Sequence, residues 1–305
     1  MAVPDDTRGI VDPAALLTRV RFRRRLPAPA LRPYIERYWL IDWDLPIPYT
    51  SRVIPHPSIN LTFQWDEETG PPYTELTGIP HGSYVRTLTG RGRVCGVKFR
   101  PGAFSAFTPG VAATGWTGRV VRLGEDSREG SAAARPVRKT VREAIGDEAR
   151  GEAHQHPSPF PLPHLDLTTP ASDDARAAAL DAHFLALPLA LTPQIHLATR
   201  LVDLTRETRD LRKVSDVARA ANLSSRSLQR LFAAHVGVTP KWVILRYRLH
   251  EALDHAATDP APDWPALAAD LGYADQAHLT RAFTKTLGLP PPRRTPRASP
   301  DRPPA

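Results

Sequence analysis

The stretch Leu228-Gln229-Arg230-Leu231-Phe232, followed by Gly237 and Pro240, returns 51 positions later as Leu279-Thr280-Arg281-Ala282-Phe283, Gly288 and Pro291. The segment before it returns as well. Val217-Ala218-Arg219-Ala220-Ala221-Asn222 corresponds to Leu267-Ala268-Ala269-Asp270-Leu271-Gly272 at a shift of 50, so the second copy has one extra residue in its turn. Chance would have to place an apolar residue, an arginine, an aromatic, a glycine and a proline in the same register twice. Each copy reads as short helix, tight turn, second helix, the order that presents a second helix to a DNA major groove.

In the first copy Val214 to Ala221 is the leading helix, Asn222-Leu223 the turn, and Ser224 the N-cap of the next helix, its hydroxyl satisfying an exposed N–H. From Ser225 onward, Leu228, Leu231 and Phe232 fall at helical spacing and face a core, which leaves Ser225, Arg226, Gln229 and Arg230 for DNA. Arginine can bond bidentately to guanine O6 and N7, and glutamine to adenine N6 and N7. On one isolated helix such residues are more often a solvated face; the repeated register favours the reading helix. In the second copy Asp263 caps a helix from Trp264 to Leu271, Gly272-Tyr273-Ala274-Asp275 makes the turn, and Gln276 to Leu287 is the second reader. Leu279 and Phe283 turn inward there, and Gln276, Ala277, His278 and Arg281 are the candidates for base edges or phosphates.

Between the copies, Pro240 starts a third helical pattern with Trp242, Val243, Leu245, Leu249, Ala252 and Leu253 at apolar intervals. A helix of about 18 residues rises ~27 Å, against the ~34 Å that separates successive major-groove faces on one side of the duplex. One rigid spacer can therefore set both readers on one side of DNA. Arg246 and Arg248 lie on it and could reach phosphate or simply stay solvated; Arg246 joins the expected DNA-contacting set.

These segments, from about 192 to 291, resemble the DNA-binding domain of the AraC/XylS family of transcriptional regulators. The likeness is carried by Leu223-Ser224-Ser225-Arg226-Ser227-Leu228-Gln229-Arg230-Leu231-Phe232, by Gly237-Val238-Thr239-Pro240-Lys241 with Arg248-Leu249, and by Leu271-Gly272-Tyr273 with Asp275-Gln276 and Arg281-Ala282-Phe283. It covers about a third of the chain. The resemblance implies sequence-specific DNA binding through both second helices, and with it double-stranded DNA as partner and contact with RNA polymerase as an open option. The chain departs from the family after Gly288, where Pro290-Pro291-Pro292-Arg293-Arg294 lacks the aromatic that usually opens a closing helix.

Upstream, the residue usage changes. Tyr38-Trp39-Leu40-Ile41-Asp42-Trp43, Ser51-Arg52-Val53-Ile54, Ile59-Asn60-Leu61-Thr62-Phe63 and Val94-Cys95-Gly96-Val97-Lys98-Phe99 are β-rich runs separated by Pro, Gly, Asp and His, as in a small antiparallel sheet or barrel. Phe104 to Val111 reads as a short helix. Tyr38-Trp39, Ile54-Pro55-His56-Pro57, Asn60-Leu61 and Gly96-Val97-Lys98-Phe99-Arg100-Pro101-Gly102 are similar to a β-rich domain that accompanies this DNA-binding domain in many bacterial regulators. In the wider family a cupin-like barrel in this place binds a small effector or mediates dimerisation, so the resemblance implies a homodimer or an effector, of unknown identity.

The expected architecture is α+β: a loose tail over 1–20, a β-rich regulatory or dimerisation domain over 21–124, a flexible Pro/Ala-rich linker over 125–175, an all-α double helix-turn-helix domain over 176–292 and a tail over 293–305. The formal charge of +8 suits a polyanionic partner, and its distribution says more than its size: from Gln194 onward Lys and Arg number 17 against 11 acidic residues, and 23 against 21 before that. The single Cys95 excludes a disulfide framework and a four-cysteine zinc site, and points to a reducing interior. No signal peptide is expected from Met1-Ala2-Val3-Pro4-Asp5-Asp6, and the apolar run from Ala177 to Thr192 is broken by Asp181, His183 and Pro188, so a cytoplasmic, membrane-free location is expected.

The rival class is a metal- or thiol-dependent enzyme, or a redox sensor, in the β-rich part. His56 and His81 have no diagnostic metal spacing, and turn or core histidines are the commoner case. Cys95 sits in an apolar run, as a buried structural thiol does. Alkylation-repair proteins carry a similar DNA-binding domain but need several cysteines. No nucleophile elbow, phosphate loop or zinc-protease motif is present, so neither catalysis nor a cofactor is expected.

Overall fold

The computed structural model describes residues 7–123, 165, 167, 172–259, 262–288 and 290–291. Most of the expected linker, the segment after Pro291 and the first residues of the expected tail lie outside them. The rest of that tail is ordered into the fold: Asp12 caps a short helix α1 (Pro13–Leu17) by accepting from Ala15 N, and Ile10 bridges to Val53.

The β-rich part is one antiparallel sheet of β1 (Val20–Arg25), β2 (Ile35–Val53), β3 (Asn60–Asp66), β4 (Tyr73–Thr77), β5 (Tyr84–Phe99) and β6 (Val120–Leu123), in the order β1-β2-β5-β3-β4-β6. The runs expected as separate strands at 38–43 and 51–54 largely belong to the single long β2. Its register against β5 slips between Leu45 and Tyr49, where Pro46 and Pro48 have no N–H to give the ladder. Phe104–Ala106 and Ala113–Trp116 are 3-10 turns, shorter than the helix expected over 104–111.

Helices follow: α2 (Asp173–Leu185), α3 (Pro193–Glu207), α4 (Val214–Ala220), α5 (Ser225–Leu231), α6 (Pro240–Thr258), α7 (Trp264–Asp270) and α8 (Gln276–Leu287). An antiparallel β-rich first part and a helical second part therefore stand as expected. The linker expected over 125–175 lies almost wholly outside the described residues, and the described parts on either side of it share a core. Alternate residues of the sheet (Tyr38, Leu40, Leu61, Phe63, Cys95, Val97) present one apolar face, and that face is continuous with Phe184 of α2, Leu201 and Val202 of α3, and Leu228 and Phe232 of the first helix-turn-helix. A smaller cluster gathers Leu249, Leu253, Trp264, Leu267, Leu279, Phe283 and Leu287, with Ile54 reaching in from the sheet side.

Polar contacts seal the seam. Arg23 grips Asp173 with two hydrogen bonds of 2.9 and 2.8 Å, Tyr38 Oη donates to Asp181 at 2.8 Å, and Arg100 donates to Asp203 at 2.6 Å. His56, from Pro55-His56-Pro57, stacks on His250 of α6 with ring centroids 4.2 Å apart. His250 is fully buried, and its Nε2 lies 3.4 Å from Pro55 O. Burial pushes its pKa down to about 3; the bond to Pro55 opposes that shift, and Arg246, Lys98 and Arg8 add to it. Burial also holds His56 well below the ordinary histidine value, with Lys98 and His250 adding to the depression.

Two outcomes follow from a shared seam. The chain should unfold in one transition seen alike by probes of sheet and of helix, and Phe104→Ala, at the centre of the seam, should cost about 3–5 kcal/mol in both signals; a helix transition untouched by that substitution contradicts it. Acid should loosen the fold. A neutral His250 stabilises the native state fully above the unfolded value near 6.5, and the contribution is lost as pH falls toward 3, amounting to about 1.4 kcal/mol by pH 5.5. Denaturant titrations of His250→Phe should show a flatter pH dependence than the parent between pH 7.5 and 5.5; identical slopes refute the assignment.

Candidate nucleic-acid interface

Local sequence explains both helix-turn-helix units. Before α4 the Asp216 carboxylate accepts the Lys213 N–H at 2.9 Å. Asn222 then turns the chain with φ 53°, the left-handed region that few side chains tolerate, and Gly272 takes the same place in the second copy with φ 71°. Ser224 accepts from Ser227 N at 3.1 Å to start α5, and Asp275 accepts from His278 N at 2.6 Å to start α8. Asp263 caps α7 through Ala266 N at 3.0 Å.

On α5, Leu228 is buried, and Ser225, Arg226, Gln229 and Arg230 are exposed. On α8, Leu279, Phe283 and Leu287 are buried, and Gln276, Ala277, His278 and Arg281 are exposed. Neither Arg226, Arg230 nor Arg281 forms an ion pair among the described residues. The His278 ring is partly committed to the turn: Nδ1 accepts from Ala274 N at 3.4 Å and the ring meets Tyr273 edge-on at 5.2 Å. Nε2 is the ring atom left for an outside partner.

Arg246 departs from its expected place. It is 4% exposed, lies over the Trp242 ring at 4.2 Å, and donates Nη2 to His81 O of the β-rich part at 3.0 Å. Burial lowers its pKa to about 10, so it remains a cation, but one turned inward. Helical spacing gave no sign of this, because the partner that covers Arg246 is 165 residues away. Arg248 serves the second unit instead. Its Nη2 donates to Arg212 O at 2.7 Å and its Nη1 reaches Gly272 O at 3.5 Å, while Arg212 donates to Asp270 O at 2.9 Å. These bonds tie the loop before α4 to the turn before α8. Sequence reading missed Arg212, which carries no motif of its own.

In the β-rich part, the side chains of the rival reading stand apart. His56 packs on His250, and Cys95 is buried, its pKa pushed up to about 12 by burial, which keeps the thiol protonated. Among the described residues no group of three or more His, Cys, Asp or Glu is placed to hold a metal ion, and no helix is long and apolar enough to cross a membrane. A cleft of about 320 Å³ opens between the two parts, lined by Arg8, Glu36, Arg37, His56, Arg100 and Arg206 among others.

Residues 23–122 match the family described as Domain of unknown function (DUF6597), and residues 217–294 match the family described as Helix-turn-helix domain. No curated protein matches the chain. Among solved structures, a 1.65 Å structure of ToxT from Vibrio cholerae is similar at 9% identity and a TM-score of 0.37, over 89% of this chain and 95% of that one. Unsaturated fatty acid bound wild-type ToxT from strain SCE256 is similar at 11% identity and a TM-score of 0.36, over 83% and 92%. The repeat, the caps and the family match agree: residues 217–294 are a helix-turn-helix domain, the kind of unit that binds DNA, and a β-rich domain of unknown function precedes it.

Proposed function

We propose that the chain is a sequence-specific transcription regulator that sets α5 and α8 into successive major-groove faces of one DNA site. The observation that carries this reading is the repeated exposure of arginine and amide side chains at equivalent places on two capped helices, each with its apolar residues turned inward. Arg226, Gln229 and Arg230 read one block; Gln276, Arg281 and the Nε2 of His278 read the other. Ser225 and Ala277 sit in the first turns of α5 and α8, where small side chains let the helix approach base edges. α6, with 19 residues, is the spacer.

The β-rich domain gives this activity its regulation. Its cleft against α3 is lined by Arg8, Arg37, Arg100 and Arg206 and by Glu36 and Asp203, which pair with Arg37, Arg100 and Arg206; the four arginines outnumber the two carboxylates and suit a small anionic effector whose binding alters the seam. The covered seam also favours one-chain occupancy of the two blocks, with dimerisation reserved for exposed parts of the sheet.

Single substitutions separate the roles. Arg230→Ala and Arg281→Ala should each cost about 1–3 kcal/mol of specific binding and relax base preference in one block only. Arg246→Ala should leave the salt dependence of binding unchanged, whereas a lost phosphate contact lowers the slope of log K against log salt by about 0.9. If neither reader substitution changes affinity or base preference in titrations on a site selected from random DNA, the assigned faces are wrong.

A further inference from the structure

The internal repeat ends each copy on a glycine, Gly237 and Gly288, and both adopt left-handed backbone, at φ 93° and 73°. These are the C-terminal ends of the two recognition segments, where helix carbonyls are left without intrahelical donors. At both ends a donor comes from the β-rich domain. Thr117 Oγ1, from the loop before β6, donates to Gly237 O at 2.7 Å, and a Cβ on Gly237 would stand 2.9 Å from that hydroxyl and from Ala113 O. Arg52, on β2, donates to Leu287 O at the last turn of α8, and its Nη1 lies 3.6 Å from where a Cβ of Gly288 would be. A cation there also meets the negative end of the helix dipole.

Arg52 and Thr117 belong to one body. β2 connects through β5, β3 and β4 to β6, so an unbroken hydrogen-bonded sheet separates the two grips. The spacer helix is held to the same body at Arg246, which bonds His81 O, and at Asp254, which pairs with Arg8 at 2.8 Å. Successive base pairs are ~3.4 Å apart along DNA, so a displacement of a few ångströms at one helix end amounts to one base pair of spacing.

We infer that the β-rich domain acts as a caliper, fixing the spacing at which the two readers meet their blocks, with Thr117 and Arg52 as its positioning residues. This rests on the two-reader reading and adds to it a role for the domain of unknown function that needs no effector. The bonds that Arg212 and Arg248 make within the helical part hold the turn of the second unit; the caliper holds the far ends of the reading helices.

The test uses the full chain and a site selected from random DNA, in probes with the native spacing between blocks, with one or two base pairs added or removed, and with a single block. The unsubstituted chain should lose about tenfold in affinity for each one-base-pair change. Arg52→Gln combined with Thr117→Val should narrow that ratio to about twofold, with single-block affinity unchanged, because the readers themselves are intact. Thr117→Ser keeps the hydroxyl and should restore most of the ratio in the Arg52 parent; Arg52→Gln alone, at a half-buried position, provides the intermediate case should the double variant fail to fold. Spacing ratios equal to the parent's in both Arg52→Gln and Thr117→Val overturn the caliper. A parent chain that is itself indifferent to spacing, or that binds the two-block site no more tightly than a single block, overturns the two-reader reading first and the caliper with it.

Discussion

Phe99 closes β5 at the point where the sheet meets the helices, and its ring lies 4.9 Å from Phe104, 4.8 Å from Phe107 and 6.0 Å from Phe184 by centroid. Phe107 in turn meets Phe184 at 5.6 Å, and Phe104 meets Trp116 at 5.7 Å. Rings at these separations and edge-on angles supply packing beyond their buried area, and each loses most of its value if its neighbour moves. The cluster joins a strand, two 3-10 turns and α2 in one apolar body, and Phe232 and Val236 of the first reader unit extend it. Separation of the two parts would uncover the faces that Phe99 and Phe107 turn to Phe184. The orientation of the readers is therefore a property of the whole chain.

That coupling changes what regulation can mean here. Two domains joined only by a flexible connector communicate mainly through effective concentration. Domains that share a core communicate through the seam, where a ligand or a protonation event must favour one of two packed arrangements to have any effect. The polar contacts such a change would have to break are the stacking of His56 on His250, the ion pairs around the cleft, and the bond from Arg246 to His81 O.

The sequence made the helical half legible because its determinants are local. Caps at Ser224, Asp263 and Asp275, apolar residues at helical spacing, and the paired turn residues Asn222 and Gly272 lie within a few positions of the elements they define. The sheet was legible only in part, and for a physical reason. β1, with four arginines in six residues, is not among the strands expected from the sequence, and its Arg23 is paired with Asp42 and with Asp173 of α2. β4 and β6 are short and lean on neighbours. Arg246 and Arg52 illustrate the limit most clearly, since each bonds a carbonyl more than 150 residues away, and no periodicity records such a partner.

In the proposed arrangement one chain carries two readers held at a fixed separation on the same side of DNA. Hydroxyl-radical footprinting of the full chain on a site selected from random DNA tests it most directly. Two protected patches about one helical turn apart, on one face of the duplex and at a stoichiometry of one chain per site, are the predicted result. Protection of a single block, or two blocks that appear only when two chains bind, would contradict it.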